Sequence, residues 1–153
     1  MGKKICFAAS GGGHLEEICR LTEIEQSNDS FLVTEANEFQ EIKFCDRVIH
    51  VQPINRQEVL FPFKFAALMV KSLCILLKER PDCVISTGAL ATFPLCLWAK
   101  LLKIKIIYIE SFARVDTPSL TGKLMYRIAD LFLVQWEEML SFYPNAIYAG
   151  GIF

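Results

Sequence analysis

The sequence predicts an α/β fold, a doubly wound parallel sheet of the Rossmann-like kind, and three observations carry that prediction. Apolar runs of strand length alternate with segments of helical period along the whole chain, the pattern of successive βαβ units. Some of those runs, 103–110 above all, are apolar enough for a central strand covered on both faces. The first run, Lys4-Ile5-Cys6-Phe7-Ala8-Ala9, meets Gly11-Gly12-Gly13 and then a segment whose Leu15, Ile18, Cys19 and Thr22 share one face at helical spacing. Strand, glycine turn and helix in that order make a small anion pocket, because glycine lets the backbone approach closely and a helix start offers unpaired N–H groups.

The elements follow in order. The first helix gives way to a turn at Ser27-Asn28-Asp29, and 30–34 is a second strand ending at Glu35. Residues 36–46 are polar and read as a loop with a short helix; 47–51 alternates weakly and is a third strand, followed by a loop over 53–58. Residues 60–79 form a long apolar helix, with Pro62 in its first turn and Arg80-Pro81 closing it. A strand at 82–88 ends in a second glycine turn. The helix over 89–102 contains Pro94, which kinks it or marks its first turn. After the strand at 103–110 and a loop at 111–118, Ser119 or Thr117 caps a helix to residue 129. A strand at 130–136, a short helix at 137–143 and a run at 146–149 complete the series.

Length and composition bound the class. A chain of 153 residues suits a single domain, taken as 1–153, and its net charge of −1 argues against a nucleic-acid partner. Apolar residues make up 53%, above the roughly 45–50% of soluble domains, which implies apolar surface left for a membrane or a partner. The cysteines at 6, 19, 45, 74, 83 and 96 contain no Cys-x-x-Cys pair and read as free thiols of a reducing cytosol. Met1-Gly2-Lys3-Lys4 leads straight into a strand, too short for a signal peptide, and Cys6 stands where myristoylation wants serine or threonine.

Ligands of doubly wound folds sit beyond the carboxyl ends of the strands. That rim carries 10–14, Glu35, Thr87-Gly88, 110–114 and Gln135-Trp136. A dinucleotide fingerprint needs a third glycine where Glu16 stands, although Glu35 sits where a ribose-binding acid would, so an NAD-type oxidoreductase stays open. No Walker lysine-serine pair supports a nucleoside triphosphatase. His14 suits a general base for a hydroxyl, or equally a hydrogen-bond donor to a phosphate. Arg114 can grip a diphosphate in a bidentate fork or pair with Glu110 or Asp116. Gln135 and Trp136 can meet a sugar or a partner, or plug the core; His50, inside a strand, reads as structural. Lys64, Lys71 and Lys78 recur every seven residues as one basic stripe on the apolar 60–79 helix. Three lysines argue against spanning a bilayer, whereas lying in the interface lets them reach headgroups while Phe61, Phe65 and the aliphatic side chains sink. A core helix with a solvated lysine face is the alternative.

Together, Ser10-Gly11-Gly12-Gly13-His14-Leu15-Glu16-Glu17, Ser86-Thr87-Gly88, Glu110-Ser111-Phe112-Ala113-Arg114, Pro118-Ser119-Leu120-Thr121-Gly122-Lys123 and Val134-Gln135-Trp136 resemble, along essentially the whole chain, the acceptor-side, membrane-associating subunit of two-subunit glycosyltransferases. Relatives include the membrane subunit acting on dolichol-diphosphate-N-acetylglucosamine and bacterial capsule and exopolysaccharide proteins. The resemblance implies the N-terminal half of a GT-B glycosyltransferase, inactive without a separately encoded donor-binding chain. It implies a polyprenyl-diphosphate-sugar acceptor at the cytoplasmic membrane face, with Ser10, Gly11, Gly12, Gly13, Thr87, Gly88, Glu110 and Arg114 binding it and His14 near its hydroxyl. No cofactor and no metal are expected. The eukaryotic subunit carries a transmembrane anchor; none is expected here, so attachment is expected to rest on 60–79 and on 95–105. A catalytically silent recruiter of the partner chain is the rival within this class.

Overall fold

The computed structural model describes residues 2–35 and 41–153. Its seven strands form one parallel sheet: β1 (Lys4–Ala9), β2 (Asp29–Thr34), β3 (Val48–His50), β4 (Cys83–Gly88), β5 (Lys105–Ile109), β6 (Leu131–Val134) and β7 (Ile147–Tyr148). The spatial order is β3-β2-β1-β4-β5-β6-β7, so the chain builds one edge, crosses back beside β1 and builds the other. That reversal lies between β1 and β4, and it puts a crevice above their carboxyl ends. The glycine loop leaves β1 at this point.

Side chains alternate between two cores, as a sheet covered on both faces requires. Cys6 and Ala8 of β1, Phe31 and Val33 of β2, Val84 of β4, Ile106 and Tyr108 of β5, and Phe132 and Val134 of β6 face one side. Ile5, Phe7, Ala9, Leu32, Ile85 and Ile109 face the other. The first core is covered by α3 (Phe61–Glu79), α4 (Phe93–Leu101) and α5 (Leu120–Met125), the second by α1 (Gly13–Ile18) and the segment around Phe44 and Cys45.

The predicted alternation is present, and the differences lie at element ends. The single first helix is two, α1 and α2 (Thr22–Gln26), because Arg20 and Leu21 bond three residues back, to Glu17 and Ile18, and tighten the chain out of register. Thr22 is therefore exposed, while Leu15 and Ile18 are buried. Pro94 marks a first turn: a 3₁₀ turn at Leu90–Thr92 precedes α4. Ser119, not Thr117, caps α5, its hydroxyl accepting from Gly122 N at 2.7 Å. That helix stops at Met125 because Arg127 and Ile128 again bond three residues back. The segment after β6 is a 3₁₀ turn over Glu137–Ser141 rather than a helix to 143. Of the loop at 36–46, residues 36–40 lie outside the described residues, and 41–46 hold no helix.

Candidate functional site

A cleft of about 700 Å³ opens above the strand ends, lined among others by His14, Glu35, Arg56, Tyr108, Arg114 and Ser119. Its floor follows from the glycine loop. Gly12 adopts φ 69°, a left-handed conformation natural to glycine, and its carbonyl starts α1 by accepting from Leu15 and Glu16. His14 is thereby delivered into the first turn. Thr87 Oγ1 donates to the His14 carbonyl at 2.7 Å, and Ser10 N donates to Gly88 O at 2.9 Å, so β1 and β4 clamp the loop. Gly88 has φ 104°, and a Cβ there would stand 3.2 Å from the imidazole Cε1. The imidazole Nδ1 is buried and has no hydrogen-bond partner among the described residues.

One wall is the loop after β5. Glu110, 1% exposed, takes hydrogen bonds from Ser111 N (3.2 Å), Ser119 N (3.3 Å), Ser119 Oγ (2.8 Å) and Tyr143 Oη (2.8 Å). Through these bonds the carboxylate ties the loop to the start of α5 and to Tyr143 from beneath. It also pushes the Tyr143 phenol, already raised by burial, further above its ordinary range. Glu17, on α1, does the same from the other side. It accepts from Ser111 Oγ and Phe112 N, both at 3.0 Å, and from Gln135 Nε2 at 3.2 Å. Burial raises the Glu17 pKa, and those donors together with His14 oppose the rise. Arg114, within the loop so held, is exposed and forms no ion pair among the described residues; it pairs with neither Glu110 nor Asp116.

The opposite wall is the loop after β3, with Ile54, Asn55, Arg56 and Gln57. Arg56 is likewise exposed and unpaired among the described residues. Glu35 anchors this wall, its Oε2 accepting from Ile54 N at 3.3 Å; burial raises its pKa against that bond and His14. Two guanidinium groups thus face one cleft from opposite sides, a geometry suited to an anion of more than one charge.

Of the nominated residues, the structure brings His14 and Arg114 together on the cleft. Ser10, Thr87, Glu110 and Gln135 are buried, and they hold the site's loops rather than face it. Gln135 bridges Glu17, the Glu110 carbonyl and Ile152 N, and Trp136 is half-buried, donating to Phe112 O at 2.7 Å. Gly12 and Gly13 are exposed, with open space where a side chain would go. Sequence reasoning missed Glu17, Arg56 and Tyr108. Glu17 lies three residues after His14 on the same helix, and Arg56 follows a strand ending on the same rim; those two spacings were the available signal.

The α3 residues divide differently from expectation. Phe61 and Phe65 are half-buried against each other, with ring centroids 5.5 Å apart. Lys64 pairs with Glu58, and Lys71 donates to the His50 carbonyl at 2.7 Å, which leaves Lys78 exposed and without an ion pair among the described residues. The face turned outward is instead apolar: Phe63 is 75% exposed, Val70 64% and Leu77 53%, with Ala67 and Cys74 between them and Val59 and Leu60 leading into them. No helix among the described residues is long and apolar enough to cross a membrane.

A parallel sheet with its cleft at the switch point and a glycine turn feeding His14 is a Rossmann-like arrangement, the architecture of one half of a GT-B fold. A UDP-N-acetylglucosamine 2-epimerase structure from Rickettsia bellii matches it with a TM-score of 0.74 at 18% identity, covering 94% of this chain and 42% of that one. The present chain therefore spans less than half of that neighbour. The model of the family "Oligosaccharide biosynthesis protein Alg14 like" matches residues 5–152, and the chain belongs to that family. The human "UDP-N-acetylglucosamine transferase subunit ALG14" is 30% identical over 178 residues, 97% of this chain and 82% of the human one. A Pelagibacter ubique "UDP-N-acetylglucosamine--N-acetylmuramyl-(pentapeptide) pyrophosphoryl-undecaprenol N-acetylglucosamine transferase" is 32% identical over 120 residues, 72% of this chain and 33% of that protein. The chain is thus a glycosyltransferase subunit by family, not the oxidoreductase that its glycine loop left open.

Proposed function

We propose that this chain binds a polyprenyl-diphosphate-linked sugar at a membrane surface and presents its hydroxyl to a sugar nucleotide held by a separate, donor-binding chain. The observation that carries the reading is the cleft with Arg56 and Arg114 on opposing walls and His14 at its floor. Two guanidinium groups without an ion pair among the described residues match the charge of a diphosphate, each able to fork two phosphate oxygens. Exposed apolar residues stand on both sides, Val59, Leu60 and Phe63 by one wall and Val115 and Leu120 by the other, where a lipid tail and the bilayer surface would lie. The names of the two relatives support the same chemistry: one is a transferase subunit, and the other acts on a pyrophosphoryl-undecaprenol. Gly11, Gly12 and Gly13 would border the diphosphate through backbone N–H groups, and Gln135 and Trp136 would stiffen the wall next to the partner. The association is peripheral, at the cytoplasmic face, in a bacterial setting of exopolysaccharide or capsule synthesis.

The test is reconstitution. The chain alone, given sugar nucleotide and a short-chain polyprenyl-diphosphate sugar, should transfer nothing, and transfer should appear with the partner chain. Arg56→Ala and Arg114→Ala should each raise the acceptor KM, by about 10-fold or more if a charge-assisted bond of about 1.5–3 kcal/mol is lost. Robust turnover by the isolated chain overturns the division of labour. Unchanged KM in both arginine variants overturns the diphosphate assignment, and full activity in a His14→Ala complex identifies a silent recruiter.

A further inference from the structure

His14 and Glu35 share the cleft, and their surroundings assign them different parts in the proton transfer. A histidine that takes a proton at Nε2 must already carry hydrogen on Nδ1, and in working bases that hydrogen is held by a carboxylate or carbonyl. In this chain Nδ1 is buried and meets no acceptor among the described residues. The carboxylate one turn further along the helix, Glu17, accepts instead from Ser111, Phe112 and Gln135. Hydrogen on Nδ1 would be a buried donor with nothing to receive it, whereas a bare lone pair there costs less. This environment favours the tautomer with hydrogen on Nε2. Thr87 on the His14 carbonyl and Gly88 against the ring edge hold the imidazole as a fixed donor.

Among the described residues lining the cleft, Glu35 is the one carboxylate. It is half-buried at the end of β2, next to the strand that delivers His14, and its Oε2 is steadied by Ile54 N. We infer that Glu35 is the general base of the transfer and that His14 is a hydrogen-bond donor to the acceptor oxygen. This rests on the acceptor reading of the cleft. In the step, the acceptor hydroxyl oxygen bonds to the anomeric carbon of the sugar nucleotide held by the partner chain. The bond from that carbon to the nucleotide diphosphate breaks, and the diphosphate leaves with the electron pair. The hydroxyl proton passes to a Glu35 carboxylate oxygen. Burial raises the Glu35 pKa, which makes it a better proton acceptor than a solvated carboxylate.

The experiment compares His14→Gln, His14→Ala and Glu35→Gln in the complex reconstituted with its donor-binding chain. A glutamine amide reaches close to the Nε2 position and donates there but cannot accept a proton. His14→Gln should keep most of the turnover while His14→Ala loses about 10²–10³-fold. Glu35→Gln should lose about 10²–10⁴-fold in kcat with the acceptor KM little changed. Equal losses in both His14 variants, or full turnover in Glu35→Gln, overturn the inference. If the wild-type complex transfers nothing to the lipid-diphosphate acceptor, the acceptor reading itself has failed. The tautomer is then still decided by ¹⁵N NMR of the ¹⁵N-histidine-labelled chain, with His50→Gln for assignment: hydrogen on Nε2 of His14 is the expected result, and hydrogen on Nδ1 overturns the donor role.

Discussion

At the scale of single residues, the tightest point of the molecule is the knot under the Arg114 loop. Glu110, Ser119 and Tyr143 meet there, and Gly122 passes so close that a Cβ would stand 2.7 Å from the Tyr143 hydroxyl and collide with the Glu110 carboxylate. Gly122→Ala should therefore destabilise by about 1–3 kcal/mol, the usual cost of overpacking, as read by urea unfolding. Ser119→Ala removes the cap of α5 and one donor to Glu110, so a loss of about 1–2 kcal/mol is expected in the same measurement. This knot also explains which site residues the sequence could show. His14 and Arg114 stand out because a glycine turn and a strand end put them on a rim that topology assigns to ligands. Glu110 shares that rim, but a strand end does not say whether its last side chain turns toward the cleft or beneath the next loop. The role of Glu17 was hidden for a different reason: one of two adjacent acids on a helix reads as solvated, and the partners that bury it lie 94 residues and more away in the chain.

At the scale of elements, α3 is where period and environment part company. Its seven-residue lysine spacing is real, yet two of those lysines are tied to Glu58 and to His50 O, and the outward face belongs to Phe63, Val70 and Leu77. Spacing fixes which residues share a stripe; it does not say which stripe meets the core when the helix is apolar all round. The buried stripe, Leu68, Ser72, Ile75 and Leu76, includes a serine, and the rejected one does not lack hydrophobic residues. Vesicle binding should accordingly depend on the outward apolar face more than on charge. Phe63→Asp and Val70→Asp should each weaken binding about tenfold or more, since burying such a side chain contributes about 1.5–3 kcal/mol. Lys78→Glu should cost less, about 1 kcal/mol, and only with anionic lipid at low salt. Unfolding of all three variants should match wild type, because none of the three residues is buried. Vesicle co-sedimentation that ignores Phe63→Asp and Val70→Asp would make this face a protein interface instead.

At the scale of the whole molecule, the amino ends of the strands are joined by a clasp that the carboxyl-end chemistry never touches. Glu79, the last residue of α3, accepts from Lys4 Nζ and from Arg47 Nη1, both at 2.9 Å, and so ties β1, the approach to β3 and α3 together. These two hydrogen bonds hold its pKa below the ordinary glutamate value of 4.5. A carboxyl whose folded pKa is depressed binds fewer protons folded than unfolded between the two values. Its stabilisation is complete above the unfolded value and disappears as pH falls through the folded one. Glu17 and Glu35 have raised pKa values and act with the opposite sign: their contribution is present below the unfolded value and is lost as pH rises through the folded value. The wild-type profile sums these opposed terms, so its shape alone assigns nothing. The difference between wild type and Glu79→Gln does, because Glu17 and Glu35 are common to both chains and cancel. Chemical unfolding across the acid range should show Glu79→Gln less stable than wild type at neutral pH, with the gap closing as pH drops below the glutamate range. A gap that stays constant with pH would mean that the clasp acts through packing of the Lys4 and Arg47 stems on Phe31, whose ring both cations overlie, rather than through charge.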